Sequence, residues 1–226
     1  MKTKHLQLVS LAASAGVAVL LAVGCASTAG FNQGNITAAK IQSTSDQIAA
    51  LPGQLDKTLA SLNNLVSQPQ PDLRPQYKEF AANVAAVQSS AKDLATARAK
   101  IASDQTEFFA RWDQEITQIQ NQDIKAASQK RRDEVARNLT AIKTSYAQTD
   151  MAFKPFLADL SDVQKYLSVD LTPGGIAAIK GPVAKAGQDA VPLKASLADL
   201  AADFKTLGAS MSSVTPQASP KNKQTI

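Results

Sequence analysis

The chain holds one cysteine and one histidine in 226 residues, and aromatic residues make up only 5% of it. The cysteine is Cys25 and the histidine is His5, so both lie near the N-terminus. A lone cysteine forms no intramolecular disulfide, and this one comes too early to belong to a folded core. Strong charge of either sign is also lacking, with a formal net charge of +5. That balance argues neither for nor against nucleic acid. Scarce aromatics beside abundant Ala, Leu, Gln, Lys and Asp favour long helices with narrow apolar stripes.

The two scarce residues belong to a leader-like segment. Met1-Lys2-Thr3-Lys4-His5 is a short positive stretch. Leu6 to Val23 is mostly Leu, Val and Ala, interrupted by Gln7, Ser10, Ser14 and Gly16. Charge, an apolar run and a small-residue site form the layout of a secretory signal. The run is also near bilayer length, so an uncleaved anchor helix is the rival reading. Leu20-Leu21-Ala22-Val23-Gly24-Cys25 looks like the lipobox of a bacterial lipoprotein precursor, with Ala22 where Leu is usual. An ordinary signal peptidase cutting after Ala29 is a further alternative, since Ser27 and Ala29 supply small residues at the required spacing.

The lipobox reading makes residues 1–24 a signal peptide and Cys25 the lipidated first residue of the mature chain, carrying palmitate-type acyl chains. Two or more such chains make attachment stable where one is marginal. Ala26 after the cysteine, by its likeness to sorted lipoproteins, implies the periplasmic face of a Gram-negative outer membrane. Export in turn argues against nucleic acid as a partner.

Processing also strips the chemical inventory. His5 leaves with the leader and Cys25 is capped, so cysteine nucleophiles, Ser-His-Asp triads and His-based metal sites are excluded. Loss of Lys2 and Lys4 lowers the formal charge to +3. The expectation is a protein that is not an enzyme and carries no cofactor or metal.

Beyond the leader, residues 25–35 are rich in Ser, Thr, Gly and Asn and read as a flexible tether. Residues 36–212 read as a helical bundle, and residues 213–226 as a disordered tail. Ile41, Ile48, Leu55, Leu59, Leu62 and Val66 place a first helix at about Ile36 to Val66, with a kink or break at Pro52-Gly53. A linker at Ser67 to Pro71 follows, then Asp72 as an N-cap with Pro75 in the first turn. From Leu73 the apolar seam runs through Phe80, Val87, Leu94, Arg98, Ile101, Gln105, Phe108, Trp112 and Ile119 in alternating steps of four and three, a heptad pattern. Arg98 and Gln105 are polar interruptions of the kind that fixes register.

Asn121-Gln122-Asp123 is the expected reversal. The returning stripe includes Ile124, Ala127, Arg131, Val135, Ile142, Phe153, Phe156 and Leu167, with a bend expected at Pro155. Two long helices joined by a short turn give a hairpin over residues 73–168, a rod of roughly 70 Å. Thr172-Pro173 opens the last helix, jogged at Gly181-Pro182, kinked at Pro192, and apolar at Ile176, Val183, Leu193, Leu197, Phe204 and Met211. The fold class is therefore all-α: a long antiparallel coiled-coil hairpin, with two shorter kinked helices packed on its base as a four-helix bundle.

Several segments carry a likeness. Gln70-Pro71-Asp72-Leu73-Arg74-Pro75-Gln76-Tyr77, Trp112 with Glu115, Lys130-Arg131-Arg132, Phe156 to Leu160, and Asp170-Leu171-Thr172-Pro173-Gly174-Gly175 stand in an order that resembles a family of exported bacterial helical proteins known mainly as a domain of unknown function. The resemblance covers Leu65 to Leu207 and implies no activity.

Other patterns have plain explanations. Ser89-Ser90-Ala91-Lys92 matches the S-x-x-K of penicillin-recognising enzymes, but S-D-N and K-T-G are missing. Asp159 with Asp162, and Asp199 with Asp203, form carboxylate pairs without a ligand-rich loop and read as solvated faces. Candidate partner-binding residues gather near the hairpin tip: Phe109, Trp112, Lys130, Arg131 and Arg132. Phe109 points about 100° away from the Phe108 seam and is a potential docking aromatic. The basic triplet suits an acidic partner or lipid head groups, or simply helix pairing through Glu107–Arg111 and Asp133–Arg137.

Two functions follow. One is a lipid-anchored periplasmic protein using its hairpin as an interaction arm or spacer toward an unknown envelope protein, projecting the tip away from the anchor. The other is a carrier of an apolar ligand or lipid, with a pocket opened by Pro52, Pro155, Pro182 and Pro192 near Phe153, Phe156 and Phe204. A seam that pairs within one chain also pairs between chains, which leaves a homo-oligomer open.

Overall fold

The computed structural model describes residues 28–212, with side chains from Ala38 onward. The leader, Cys25 and the tail at 213–226 lie outside the described residues. Within them five helices follow one another: α1 Thr28–Ser67, α2 Arg74–Gln118, α3 Gln122–Val169, α4 Pro173–Ala178 and α5 Lys180–Met211. The chain is all-α, as its periodicity predicts. α1 starts at Thr28, so much of the segment expected to be a tether is helical.

The four long helices run alternately up and down. α1 neighbours α2 and α5, and α3 neighbours the same two. Asn83 of α2 donates through Nδ2 to Ser61 Oγ of α1 at 3.0 Å, and Ser90 Oγ reaches Gln54 Oε1 at 3.0 Å, which fixes an antiparallel register. α5 fits closely between α1 and α3 because its inward stripe includes small residues, Ala186, Ala190, Ala201 and Gly208, all buried. A Cβ added at Gly208 would lie 3.2 Å from Ile41 Cγ2, so the α1 surface leaves almost no room there. Close approach also lets Ser45 Oγ donate to the Ala201 carbonyl at 2.8 Å and Thr149 Oγ1 to the Ser196 carbonyl at 3.2 Å.

One core runs the length of the bundle, with Phe80, Phe156 and Phe204 among its largest fully buried side chains. These three come from three different helices, so each closes a space that its neighbours leave. The bundle reaches further along the hairpin than element lengths imply. Asn138 Nδ2 donates to Ser210 Oγ at 3.3 Å, which puts the end of α5 well past the hairpin base.

Several expectations about faces are corrected. The α2 seam passes through buried Ala97, and Arg98 is exposed. A heptad count favours residue 98, but a straighter helix drifts against that repeat and the smaller side chain turns inward. Ile124 is 57% exposed and Ala127 is also exposed, so the deep stripe of α3 begins at Val135, where α5 ends and supplies something to pack against. Pro52, Pro155 and Pro192 each sit inside an unbroken helix. Pro155 and Pro192 are exposed, so the missing amide and the pyrrolidine ring are on the outer side. The break expected at Gly181-Pro182 comes earlier, at Ile179, and Pro182 falls harmlessly in the first turn of α5.

The corners at the base explain two of the motifs. Asp72 accepts from the Arg74 amide at 3.1 Å and from the Arg74 guanidinium at 2.8 and 2.9 Å, which holds its carboxyl below the usual carboxylate range. The first helical turn begins one residue later than an Asp72 cap requires, with Leu73 at the cap position. Gln76 is buried and clamps the corner. Its Oε1 accepts from the Gln70 amide at 2.9 Å while its Nε2 donates to the Gln68 carbonyl at 3.0 Å. Gln76→Leu keeps the volume but strands both main-chain groups, and is expected to cost about 1–3 kcal/mol in urea unfolding. At the opposite corner Thr172 Oγ1 accepts from the Gly175 amide at 3.1 Å and caps α4.

Candidate functional site at the hairpin tip

The tip is built by the α2–α3 reversal. Asn121 Oδ1 accepts from the Asp123 and Ile124 amides at 3.0 and 3.1 Å, which starts α3 immediately after the turn. Phe108, Trp112 and Ile116 recur at four-residue steps and share one face of α2. Phe108 meets Trp112 edge-on at 5.4 Å between ring centroids, and Phe109 at 5.3 Å. Trp112 Nε1 donates to Ser128 Oγ of α3 at 3.1 Å, which joins the two helices near the turn.

Four of the five candidate side chains fall into two pairs, and Lys130 stands apart. Phe109 is only 8% exposed and lies beneath the Arg132 guanidinium, 4.6 Å from ring centroid to Cζ. It is therefore no free docking aromatic, because the cation covers the ring face. Arg132 also grips Asp113 through two hydrogen bonds of 2.7 and 2.9 Å, which lowers the Asp113 pKa and raises its own. Phe109 and Arg132 thus tie α2 to α3. Arg131 pairs with Glu134 at 2.7 Å, and Glu107 with Arg111 at 3.4 Å. Asp133 takes a hydrogen bond from Gln129 at 3.1 Å and lies 3.6 Å from Arg132, in place of the expected Arg137 pairing. Lys130 is exposed.

Trp112 and Arg131 belong to a different feature. Between α2 and α3, beyond Met211 at the end of α5, an open cleft of about 320 Å³ is lined by Phe108, Trp112, Ile116, Ile119, Val135 and Met211. Arg111, Arg131 and Glu115 stand on its rim together with Ser128. Arg111 Nε is buried without a protein acceptor, while the other end of the guanidinium pairs with Glu107. The cleft lies where α5 has stopped while α2 and α3 continue. Sequence periodicity marks Phe108, Trp112 and Ile116 as a group, but it cannot register Met211 or Arg111 against them.

Near the helix prolines, Pro182 borders a hollow of about 280 Å³ with Val163 and Ile179. Phe156 and Phe204 are 0% and 1% exposed, and Phe153 borders a groove of about 170 Å³ with Leu94 and Tyr146. Of the acidic pairs, Asp159 is bound by Lys185 at 2.6 Å, and Lys185 also holds Asp189 at 2.9 Å. Asp203 accepts from Ser145 Oγ at 2.5 Å. Among the described residues no group of three metal-ligating side chains converges. No described helix is long and apolar enough to cross a membrane.

Fold and cleft together define an all-α, up-and-down four-helix bundle with an apolar cleft at the hairpin end. The chain belongs to the family described as protein of unknown function DUF2959, whose model matches residues 24–207 and so takes in all five helices apart from the last turn of α5. Comparison with curated proteins and with solved structures finds no match.

Proposed function

We propose that the protein is a non-enzymatic lipoprotein, held at the periplasmic face of the outer membrane through Cys25, that acts by contact through the ends of its helical bundle. The observation that carries this reading is the polarity of α1. Its first residue, Thr28, comes three positions after Cys25 in the sequence, and α1 runs antiparallel to α2. The start of α1 and the α2–α3 turn therefore lie at the same end of the bundle. The hairpin tip would face the membrane, and the arm would not project it away from the anchor. The end displayed outward would be the base, where Pro69 to Arg74 and Leu171 to Pro173 line a shallow hollow, some 65 Å away along α2.

A mature chain without histidine or free thiol supports a binding role over a catalytic one. Cys25→Ser is expected to move the protein from the membrane to the soluble periplasmic fraction, read by fractionation and immunoblotting. A variant that stays membrane-bound without acylation would end the anchor idea. The apolar cleft at the tip favours a second reading in the same place, a site for an apolar or amphiphilic ligand.

A further inference from the structure

We infer that the cleft at the hairpin tip is a phospholipid site: its apolar trough takes one acyl chain, and Arg111 and Arg131 take the headgroup phosphate. The bilayer side of this inference rests on the anchoring proposed above, because that anchoring puts the tip against the membrane.

Three observations converge on this occupant. The walls are apolar and open to the outside, with Trp112, Ile116 and Ile119 on one side and Val135 on the other. A hydrocarbon chain leaving the bilayer for such a trough exchanges one apolar setting for another. The lining carries two guanidiniums, Arg111 paired also with Glu107 and Arg131 with Glu134, and the carboxylate of Glu115, so a zwitterionic headgroup, which can exchange with these pairs, suits it better than a purely anionic one. A buried Arg111 Nε without an acceptor is completed by a phosphate oxygen, the acceptor that guanidinium geometry matches.

The turn itself, Gln120-Asn121-Gln122-Asp123, is polar and exposed. Such a turn stays in the headgroup layer, so the tip does not dive into hydrocarbon. One lipid tail is instead drawn up between the helices. Exposed Ile124 lies just past the turn at the same level and adds apolar surface at the boundary.

Trp112 is the only tryptophan in the chain, so its fluorescence reads this cleft alone. The full chain, reconstituted in phosphatidylcholine–phosphatidylethanolamine vesicles whose phospholipid acyl chains are brominated, should show Trp112 emission dimmed about twofold relative to unbrominated vesicles. Ile119→Asp, which puts a charge at the half-buried mouth, and the double change Arg111→Gln with Arg131→Gln should each restore most of the emission. Circular dichroism on the same samples checks that the helices persist.

Undimmed wild-type emission overturns the inference, and is the result expected if the chain's own unbrominated Cys25 lipid or its C-terminal segment fills the cleft. Equal dimming in wild type and both variants also overturns it, since proximity to the bilayer would then suffice. The acylation state of Cys25, read by mass spectrometry on the same protein, decides the anchoring proposal separately.

Discussion

Phe156→Ala is expected to lower the unfolding free energy by about 3–5 kcal/mol, the range for deleting a buried aromatic ring. Phe156 is fully buried near the middle of the core, on the face of α3 that packs into the bundle. Truncation removes the transfer energy of the ring and leaves a cavity that four rigid helices fill poorly. For a domain of this size the melting temperature should fall by about 6–20 °C. The neighbouring Pro155 is exposed on the outer side of the same helix, so Pro155→Ala should not destabilise it. Thermal unfolding followed by circular dichroism measures both. Similar melting temperatures for Phe156→Ala and wild type would mean that the core is not packed as described.

The sequence made the helices and their inward faces legible wherever four helices surround the core. There the apolar residues have neighbours on every inner side, and the period alone identifies them, as at Phe80, Val84, Val87, Ile142, Phe156, Leu193 and Leu200. Legibility fails where the surroundings change. Ile124 and Ala127 keep the apolar period, yet both are exposed beyond the level at which α5 ends. Arg98 sits on the heptad, but Ala97 turns inward because a seam is set by the partner helices as well as by spacing. Phe109 reads as an outlying aromatic until Arg132, some twenty residues away and held by Asp113, is brought over it.

The candidate site was legible in part. Trp112 and Arg131 line the cleft, but the cleft lies just past the end of α5 at Met211, a relation between elements that periodicity cannot express. The polarity of the bundle has the same origin. An up-and-down order returns the start of α1 to the hairpin tip, whereas a reading from helix lengths packs α1 and α5 against the base. Gln76 shows the limit from the other side. Its motif is visible in the sequence, but its burial as a clamp on two main-chain groups depends on where α1 ends.

Two adjacent glycines at the α3–α4 corner should respond to the same substitution in opposite ways. A Cβ on Gly174 would meet nothing closer than Thr172 Oγ1 at 3.7 Å, an ordinary contact. Gly174→Ala should therefore be neutral or stabilise α4 by up to about 1 kcal/mol, because alanine loses less backbone freedom in a helix. A Cβ on Gly175 would lie 2.2 Å from the Asp170 carbonyl oxygen and 2.9 Å from Asp170 Cγ. The obstruction is main chain, so no side-chain rotation relieves it, and the corner has to open.

Opening also disturbs the Gly175 amide bond to Thr172 Oγ1, the cap of α4, and the 2.6 Å bond that Thr172 Oγ1 makes to Asp170. Gly175→Ala is expected to cost about 3 kcal/mol, at the upper end for overpacking. Urea unfolding of the two single variants beside wild type measures the contrast directly. Equal midpoints for the two would show that Asp170 does not hold the corner against α4, and that the junction between the hairpin and the last helix is looser than its geometry requires.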